Sequence, residues 1–571
     1  MILALALAAL LLLAGVAIGE PDPREIVQAS VILAKIERGE PVGYYGVIIV
    51  GDLSLNGVEL PIKHVERTED EIKYYGLTED VKIVESSISI LFSEIRGDVN
   101  LGNAIFKEPI NFVGTNFSGD AYFMGANFRG YADFAYANFT GDAWFWDANF
   151  SGDAYLRSAT FSGSSSFSRA NFRGYADFID AIFSDDANFD EANFVGNYSG
   201  KCVYFTSANF GGIADFERTN FSGGGATFLE ANFSEDANFK GSKFNGDATF
   251  VDATFDDKAD FGAFRYSTPP GIIVHFPREI GGVQVNGIAD FFGAEFNDDA
   301  DFSTANFIDD AIFTEAEVSG DAYFGSVKFG SYSVFSEAQF FGDADFRYAE
   351  FSENAYFENT YMNTLYANET KFNRRVLLSW KPIQRLIVGD YNREIAFYLD
   401  LMENYKKVGW FGDFNNCYYE YRNICRTHNV GVEKVTDTLE WILYGYGVKP
   451  YYTLTWIALF VLIFGMFFRN GGNIKKYISE EQERNPSEET AGDGKFEVVE
   501  IKTVLRRGEL TFIDPFLFSL TTFTSGFTSF LYPSTEYRAE KHKRLVILER
   551  LLGSVFLALL ITAIGKTYLI R

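Results

Sequence analysis

Hydroxyl side chains are concentrated in a short stretch near the end of the chain, "SLTTFTSGFTSFLYP" at residues 519–533. Its six candidate site residues are Thr521, Thr522, Thr524, Ser525, Gly526 and Thr528, and the hydroxyl groups of the first four are the candidates to contact cations. Oxygen atoms of this kind can replace part of the hydration shell of a cation. Because the stretch holds no carboxylate, the chemistry that it predicts is transient coordination of cations with weak selectivity.

Asp514 and Pro515 lie just before this stretch and predict the start of a helix. Asp is a favoured N-cap residue, and Pro is a favoured first helical residue. We expect the helix to end near Phe523 and Thr524, where its unpaired carbonyl groups favour a positive charge. A helix placed in this way would present its cation-attracting end beside the hydroxyl groups.

Cysteine and histidine are too few and too scattered to build a metal or catalytic site. The chain contains Cys202, Cys417, Cys425, His64, His275, His428 and His542. They give neither a disulfide framework nor zinc-ligand spacing, and no Ser/His/Asp order emerges. The net charge of −29 disfavours nucleic acid, because phosphates are bound by clustered Lys and Arg. We therefore expect no enzyme, no cofactor, no metal site and no nucleic-acid partner.

Two apolar runs flank the hydroxyl-rich stretch, at residues 451–468 and 545–565. Each is about long enough for a helix that crosses a hydrocarbon core of about 30 Å. The segment between them is apolar but is broken by Asp, Pro and Gly, which favours a re-entrant segment over a third span. Glu549 and Arg550 lie one turn from the start of the second run, where we expect them to reach the lipid headgroups.

The two ends of the chain predict its orientation in a membrane. Residues 2–18 are uniformly apolar and are followed by small residues, which predicts a secretory signal or, alternatively, an uncleaved anchor. Residues 469–550 contain thirteen Lys and Arg, which places that connection in the cytoplasm by the positive-inside rule. The rest of the chain is then expected outside the cytoplasm.

Phenylalanine recurs along the middle of the chain with a period of eleven residues. Steps of six and five residues alternate over 106–261 and again over 291–357, with Leu156 and Val318 in place of Phe. Ala usually lies two residues before each Phe, as in "GDAYFMGANFRGYADF". An amphipathic helix would instead repeat its apolar face at three and four residues. The pattern predicts strands of two or three residues, joined by Gly, Asp and Ser turns.

The triplets "ANF", "ADF" and "ATF" resemble the pentapeptide-repeat family over residues 100–362. The resemblance implies a β-solenoid, a right-handed quadrilateral β-helix with Phe inside and Ala beside it. One residue is inserted at every second face, so that a coil takes about 22 residues, and "FRGYADF" at 128–134 recurs two coils later at 172–178. From Phe106 to Phe357 we expect about 10.5 coils and a rod of about 50 Å.

The chain is expected to divide into five parts. They are a signal peptide or N-terminal anchor at 1–19, a cap helix with leading strands at 20–100, the pentapeptide-repeat β-helix at 101–371, a helical collar at 372–450 and a C-terminal α-helical transmembrane module at 451–571. The cap helix is predicted at 22–40, with Asp22 as N-cap and Pro23 as first residue. Residues 262–287 contain three prolines and predict an inserted loop or, alternatively, a loop that binds a partner.

Aspartate also recurs with the coil period. We expect two corners of the solenoid to carry it, one with Asp120, Asp142 and Asp186 and the other with Asp299, Asp321 and Asp343. Carboxylates about 4.8 Å apart repel one another unless water or cations intervene. A solvated acidic corner is favoured over a weak Ca²⁺ ladder, because Ca²⁺ takes six to eight oxygen ligands and no bidentate Glu recurs.

The order of span, re-entrant segment and span is similar to the two-helix pore module of potassium channels, with "FLFSLTTFT" and "ERLLGSVFLALL" as matching segments. The resemblance implies that the hydroxyl-rich residues form a pore loop and that Asp514 and Pro515 start a pore helix, in a homotetramer that conducts cations. Where that family has Thr-Val-Gly-Tyr-Gly-Asp, residues 525–530 read Ser-Gly-Phe-Thr-Ser-Phe. Potassium selectivity therefore does not follow. The whole layout also resembles pentapeptide-repeat proteins that carry a degenerate module of this kind.

Two other functions stay open on the sequence alone. A non-conducting cell-surface scaffold or adhesion rod would use the C-terminal helices only as an anchor, with an extracellular protein or glycan as partner. DNA mimicry, as in acidic gyrase-binding members of the pentapeptide family, requires a cytoplasmic rod. The expected partners of the channel-like form are the lipid bilayer and further copies of the chain.

Overall fold

The computed structural model describes residues 24–566 except 74–75, 197–202, 266–278, 381–382, 388–390, 471–472, 484–486, 491–494, 499–500 and 529–536. The predicted signal segment and Cys202 lie outside the described residues. The chain divides into two compact units, Met1–Glu394 and Ile395–Arg571.

The first unit is a stack of coils built from very short parallel strands. One coil runs through Asn116–Phe117, Ala121–Tyr122, Asn127–Phe128 and Ala132–Asp133, and the next begins at Asn138–Phe139. Strands pair with those 22 residues later, as Asn116 does with Asn138. They form one 26-stranded sheet, which contains two faces, and two 14-stranded sheets. The predicted β-solenoid with coils of about 22 residues is confirmed.

Phenylalanine rings fill the interior of the coils. Phe117 and Phe139 stack with ring centroids 4.5 Å apart, and Phe139 meets Phe145 of the next face edge to face at 6.0 Å. Leu156 and Val318 are also buried, as the substituted positions in the Phe pattern predict. Each such aromatic pair adds about 0.5–1.5 kcal/mol to the free energy gained by burying the ring. The ring stacks are therefore a continuous source of stability along the first unit.

The extra residue of every second face lies in a turn that often contains glycine, although other coils carry an acidic residue such as Asp185 at the same position. In the turn Thr140–Gly141–Asp142, a Cβ added to Gly141 would lie 2.9 Å from the carbonyl carbon of Gly119, one coil earlier. Glycine is the residue that permits this approach of two backbones. The alternate faces turn instead through a residue in the left-handed region, such as Tyr136 with a φ of 59°.

The aspartates after these glycines bind the backbone of the next coil. Asp120 Oδ1 accepts the N–H of Asp142 at 3.0 Å, and Asp142 Oδ1 accepts the N–H of Ser164 at 3.1 Å. Asp299 and Asp321 repeat the arrangement at 2.7 Å. These carboxylates are half-buried, and their Oδ1 atoms have a structural role as hydrogen-bond acceptors that the prediction of a solvated acidic corner did not include.

The prediction of two acidic corners is wrong, because all six aspartates belong to one column. The strands that follow them pair successively in register from Ala121 to Ala344. Three of these steps are longer than a regular coil, from Ala187 to Ala214, from Ala214 to Ala237 and from Ala259 to Ala300. The inserted residues change the numbering but leave the face unchanged.

The stack extends beyond the Phe pattern at both ends. At the start, Ile26–Gln28 pairs in parallel with Ile48–Val50, and a short helix, α2, follows at Glu69–Lys73. At the other end, Tyr361–Tyr366 pairs with Ile383–Ile387. Each 14-stranded sheet is consequently longer than the expected 10.5 coils. Aliphatic side chains fill the first coils, so that the spacing of Phe does not detect them.

Two predicted boundaries differ from the structure. The cap helix, α1, spans Ala29–Glu37 instead of 22–40, because Ile26–Gln28 is already a strand of the stack. The inserted loop is also shorter than the predicted 262–287. Gln284–Val285 already belongs to the stack, because it pairs in parallel with Lys243–Phe244 of the preceding coil.

The C-terminal helices are α3 Tyr391–Val408, α4 Phe411–His428, α5 Gly431–Tyr444, α6 Pro450–Arg469, α7 Asp514–Thr528 and α8 Lys543–Ile564. Between α6 and α7, Ile474–Glu483 pairs antiparallel with Ile501–Gly508 and with Tyr537–Ala539. A hairpin joins Ser487–Thr490 to Lys495–Val498. The sequence pattern predicts no strands in this connection.

Polar side chains hold α4 against α5. Arg422 of α4 pairs with Asp437 and Glu440 of α5, and Asp437 is buried. Trp441 Nε1 donates a hydrogen bond of 2.8 Å to the Tyr419 hydroxyl. A buried charge is costly unless it is paired, so Arg422 and Asp437 specify how these two helices pack.

Candidate functional site

Helices α6 and α8 are each long and apolar enough to cross a bilayer, with 20 and 22 residues and mean hydropathies of 1.9 and 2.1. A hydrocarbon core of about 30 Å requires about 20 helical residues. Only 22% of the most apolar window of each helix is buried within the chain. Leu462 of α6 and Leu551 of α8 are 52% and 62% exposed. Both helices thus carry an apolar face that the described residues do not cover.

Helix α7 is shorter and packs between these two helices. Near its start, Phe518 contacts Phe468 at the end of α6, with ring centroids 5.0 Å apart. Further along, Phe523 is fully buried and lies 6.3 Å from Phe460, in the middle of α6, and 6.5 Å from Phe556, in the middle of α8. Helix α7 therefore runs from one end of the bundle towards its middle.

Asp514 joins the start of α7 to the strand that follows it. Its carboxylate accepts hydrogen bonds from the Tyr537 hydroxyl at 2.8 Å, from Lys476 Nζ at 3.0 Å and from the Thr511 amide. Burial raises the pKa of Asp514, but these three hydrogen bonds outweigh burial and hold the pKa below its ordinary value. Tyr537 is therefore fixed beside the residue at which α7 begins.

The predicted roles of Asp514 and Pro515 at the helix start shift by one position. Asp514 is the first helical residue and Pro515 the second. The amides of Phe516 and Leu517 donate to the carbonyl oxygen of Ile513, at 3.0 and 3.1 Å. Ile513 is thus the residue that precedes the helix, and the Asp514 carboxylate is used for the contact with Tyr537 and Lys476.

The hydroxyl-rich stretch is helical as far as Thr528. Thr521, Thr524 and Ser525 donate to the carbonyl oxygens of Phe518, Leu520 and Thr522, at 3.0, 2.8 and 2.7 Å, and Thr522 itself is buried. The predicted helix end near Phe523 and Thr524 is therefore wrong, and Ser525 to Thr528 is not an extended filter. These hydroxyl groups bond within the helix and so do not interrupt it. Gly526 and Thr528 lie in the last turn of α7, and the Thr528 side chain is outside the described part of the structure.

The face of α8 that meets α7 carries Glu549, Gly553 and Phe556. A Cβ added to Gly553 would lie 1.9 Å from the carbonyl oxygen of Phe523, so the two helices are in close contact there. Glu549 is fully buried and accepts a hydrogen bond from Ser519 Oγ of α7, and its Oε2 has no partner among the described residues.

The prediction that Glu549 reaches the headgroups is consequently wrong, because it faces α7. Arg550 on the neighbouring face is exposed. The sequence does contain the signal for this difference. Glu549, Gly553 and Phe556 are spaced by four and three residues, which places them on one helical face together with a small residue and an apolar one.

A family model described as "Pentapeptide repeats (9 copies)" matches residues 101–149, 112–160, 145–193, 200–243 and 223–263. The β-solenoid is a pentapeptide-repeat domain. Its pentapeptide-repeat coils continue past the matched segments, since Ala289 pairs with Ala311 and Ala311 with Ser333 in the same register. No curated protein and no solved structure matches the chain. The matched residues all lie in the first unit.

Proposed function

We propose that α6, α7 and α8 form a membrane-embedded, channel-like pore module that conducts cations and carries an extracytoplasmic pentapeptide-repeat rod. The observation that supports this most is the path of α7. Its first residue, Asp514, bonds to Tyr537, which is 23 residues later, whereas Phe523 lies against the middles of both apolar helices. The segment therefore enters the bundle and returns at the same end, as a re-entrant pore helix does.

The membrane placement is supported by the exposed apolar faces of α6 and α8. A soluble protein buries long apolar helices, whereas a bilayer covers them with lipid. Some polar groups inside the bundle are paired, as Ser519 is with one carboxylate oxygen of Glu549 and Asp514 is with Lys476. Apolar side chains on the outside of the bundle and hydrogen-bonded polar side chains inside it suit a hydrocarbon environment.

Cation conduction is supported by the orientation of α7. The negative end of its dipole points into the bundle, and the helix contains no Lys or Arg. One chain with two spans cannot enclose a pore, so the module requires several copies, and the resemblance to two-helix channels implies four. Since no carboxylate ring or Gly-Tyr-Gly strand is present in the hydroxyl-rich stretch, the selectivity is weak.

The orientation follows from the thirteen Lys and Arg of residues 469–550. The positive-inside rule puts this connection in the cytoplasm. Helix α7 then enters from the cytoplasmic side, the inverse of potassium channels and the orientation of glutamate-receptor pores. The pentapeptide-repeat rod lies on the opposite side of the membrane.

A non-conducting scaffold is the second candidate function, and a specific observation favours it. Thr521, Thr524 and Ser525 donate their hydroxyl protons to carbonyl groups of their own helix. In this alternative α7 is a packing element, the helices only anchor the chain, and the rod binds an extracellular protein or glycan.

Cysteine labelling in intact cells tests the re-entrant path. The native cysteines are first replaced by Ala. Glu509→Cys then marks the chain before α7, Glu540→Cys marks the chain after it, and Tyr451→Cys marks the start of α6. All three positions are exposed. The proposal predicts that an impermeant maleimide reaches Tyr451→Cys from outside and neither of the others. If only one of Glu509→Cys and Glu540→Cys were labelled, α7 would be a third span, and the re-entrant path would be contradicted.

A further inference from the structure

A cavity of about 350 Å³ opens in the second unit beside α3 and α4. Aromatic and aliphatic side chains, one asparagine and two lysines line it, and they are Lys406, Phe411, Phe414, Asn415, Tyr418, Val448 and Lys566. Its volume lies within the range of sites that hold small molecules, which are mostly apolar with a few polar groups that fix orientation. Neither the pore module nor the pentapeptide-repeat rod uses this cavity.

The two lysines lie next to one pair of aromatic rings. Lys406 Nζ is 5.0 Å from the centroid of the Phe414 ring, and Lys566 Nζ is 5.9 Å from that of Tyr418. The Phe414 and Tyr418 rings are nearly parallel, with centroids 6.2 Å apart. Both ammonium groups therefore border the same aromatic wall.

Neither of these ammonium groups pairs with a carboxylate in the described part of the chain. The neighbouring Lys407, in contrast, pairs with Glu403 at 2.9 Å on the outer surface of α3. Two cations that share one wall raise the local positive potential, and an anion bound between them relieves their repulsion. The two ammonium groups at the cavity therefore favour the binding of a negatively charged group.

The cavity lies where both apolar helices meet water. Val448 precedes the first residue of α6 by two positions, and Lys566 follows the last residue of α8 by two. Gly447, with a φ of 79°, makes room for Lys566, because a Cβ there would lie 2.9 Å from Lys566 Cδ. In the proposed membrane placement this end of the bundle is at the level of the headgroups.

We propose that this cavity is a binding site for an anionic lipid, with Lys406 and Lys566 on the phosphate and an acyl chain against Phe411, Phe414 and Val448. The site rests on the proposed membrane placement, but it does not depend on conduction. A free anion would satisfy the lysines without using the apolar wall, and a neutral lipid would use the wall without the lysines. The combination points to an anionic amphiphile.

Native mass spectrometry of the full-length chain in a neutral detergent tests the site. Phosphatidylglycerol, phosphatidylcholine and inorganic phosphate are added separately to the wild type and to the variants Lys406→Gln, Lys566→Gln and Lys407→Gln. We expect the wild type to retain phosphatidylglycerol in preference to phosphatidylcholine. Each of the first two substitutions is expected to weaken that retention about fivefold, and Lys407→Gln to leave it unchanged.

Three results would overturn the site. They are equal retention of both lipids by the wild type, equal loss for Lys407→Gln and Lys406→Gln, and displacement of phosphatidylglycerol by inorganic phosphate at equal concentration. Lys406→Arg should restore retention, which separates a charge effect from a folding defect. Since the readout is lipid retention, a silent bilayer would contradict the pore without affecting this site, and loss of lipid preference would contradict the site without affecting the pore.

Discussion

The Tyr537 hydroxyl donates a hydrogen bond of 2.8 Å to the Asp514 carboxylate, and this contact joins the two ends of the segment that contains α7. Lys476 reaches the same carboxylate from the strand that follows α6. Three separate parts of the chain thus meet at one buried acid. The Tyr537 ring also packs edge-on against Phe518 in the first turns of α7, with ring centroids 6.2 Å apart. The proposed re-entrant path of α7 depends on both contacts.

Removing the Asp514 carboxylate should destabilise the second unit. Asp514→Ala leaves the Lys476 ammonium and the Tyr537 hydroxyl without their acceptor, which we expect to cost about 3 kcal/mol of unfolding free energy. Tyr537→Phe removes one hydrogen bond and should cost about 1 kcal/mol. Chemical unfolding of the purified chain in detergent measures both. Glu540→Ala is the matched control, because Glu540 pairs with Lys475 at the surface and should leave stability unchanged. Equal effects of Asp514→Ala and Glu540→Ala would contradict the junction.

The same junction predicts a dependence on acid. The folded pKa of Asp514 lies below its ordinary value, so the charged form is the one that stabilises the fold. Its contribution is complete above the unfolded pKa of about 3.9 and is lost as the pH falls towards the folded pKa. The stability difference between wild type and Asp514→Asn should be constant from neutral pH to about 5 and shrink below about 4. A difference that grows on acidification would reverse the assigned sign.

Close contact of α7 and α8 should not tolerate a side chain at Gly553. A Cβ there would lie 1.9 Å from the Phe523 carbonyl oxygen, whereas a Cβ at Gly565 meets nothing within 4 Å. Gly553→Ala should separate the helices and lower the thermal unfolding temperature in detergent. Gly565→Ala should leave it unchanged. If both variants unfold at the same temperature as wild type, the packing of α7 against α8 is not as described.

The acidic column of the pentapeptide-repeat rod makes a further prediction. Asp142→Ala should leave the Ser164 amide without its acceptor and cost about 1 kcal/mol, whereas Asp142→Asn keeps an acceptor oxygen and should cost less. Thermal unfolding measures the difference. A metal chelator should have no effect on the wild type, because the carboxylates bind backbone amides. A loss of stability on chelation would instead favour a Ca²⁺ ladder.

The interior of the rod could be predicted from the sequence because one large residue type recurs with the coil period. The burial of Leu156 and Val318 could be predicted although neither is Phe, because a residue's position in the repeat determines whether it faces the interior. The coil before Phe106 was also accessible, because the buried residues Val84, Ile90, Ile95 and Leu101 continue the alternating steps of six and five residues. The spacing of Phe alone misses it, because the residue type changes there. The role of Asp142 was missed for another reason. From the sequence, a carboxylate next to Gly is expected to be a solvated turn residue. The structure shows that a backbone amide of the next coil donates a hydrogen bond to it.

The C-terminal helices could be predicted only in their order. The apolar lengths indicate two spans and a segment between them, and the structure places α7 there. The end of α7 could not be derived, because Thr524 and Ser525 favour either a turn or a bond to their own helix, and neighbouring helices decide between them. The burial of Glu549 was accessible from its spacing to Gly553 and Phe556. A charged residue near the end of an apolar helix is, however, usually expected to contact the lipid headgroups.

Cation conduction through a tetramer is tested by planar-bilayer recording of the purified full-length protein, with cross-linking of the same sample. We expect tetramers and cation currents that discriminate weakly between Na⁺ and K⁺. We also expect that Gly526→Asp, in the last turn of α7, alters or abolishes the current while the variant still inserts and forms tetramers. Protein that is strictly monomeric, or that stays silent with every cation and voltage tried, would contradict the pore and leave the anchored scaffold.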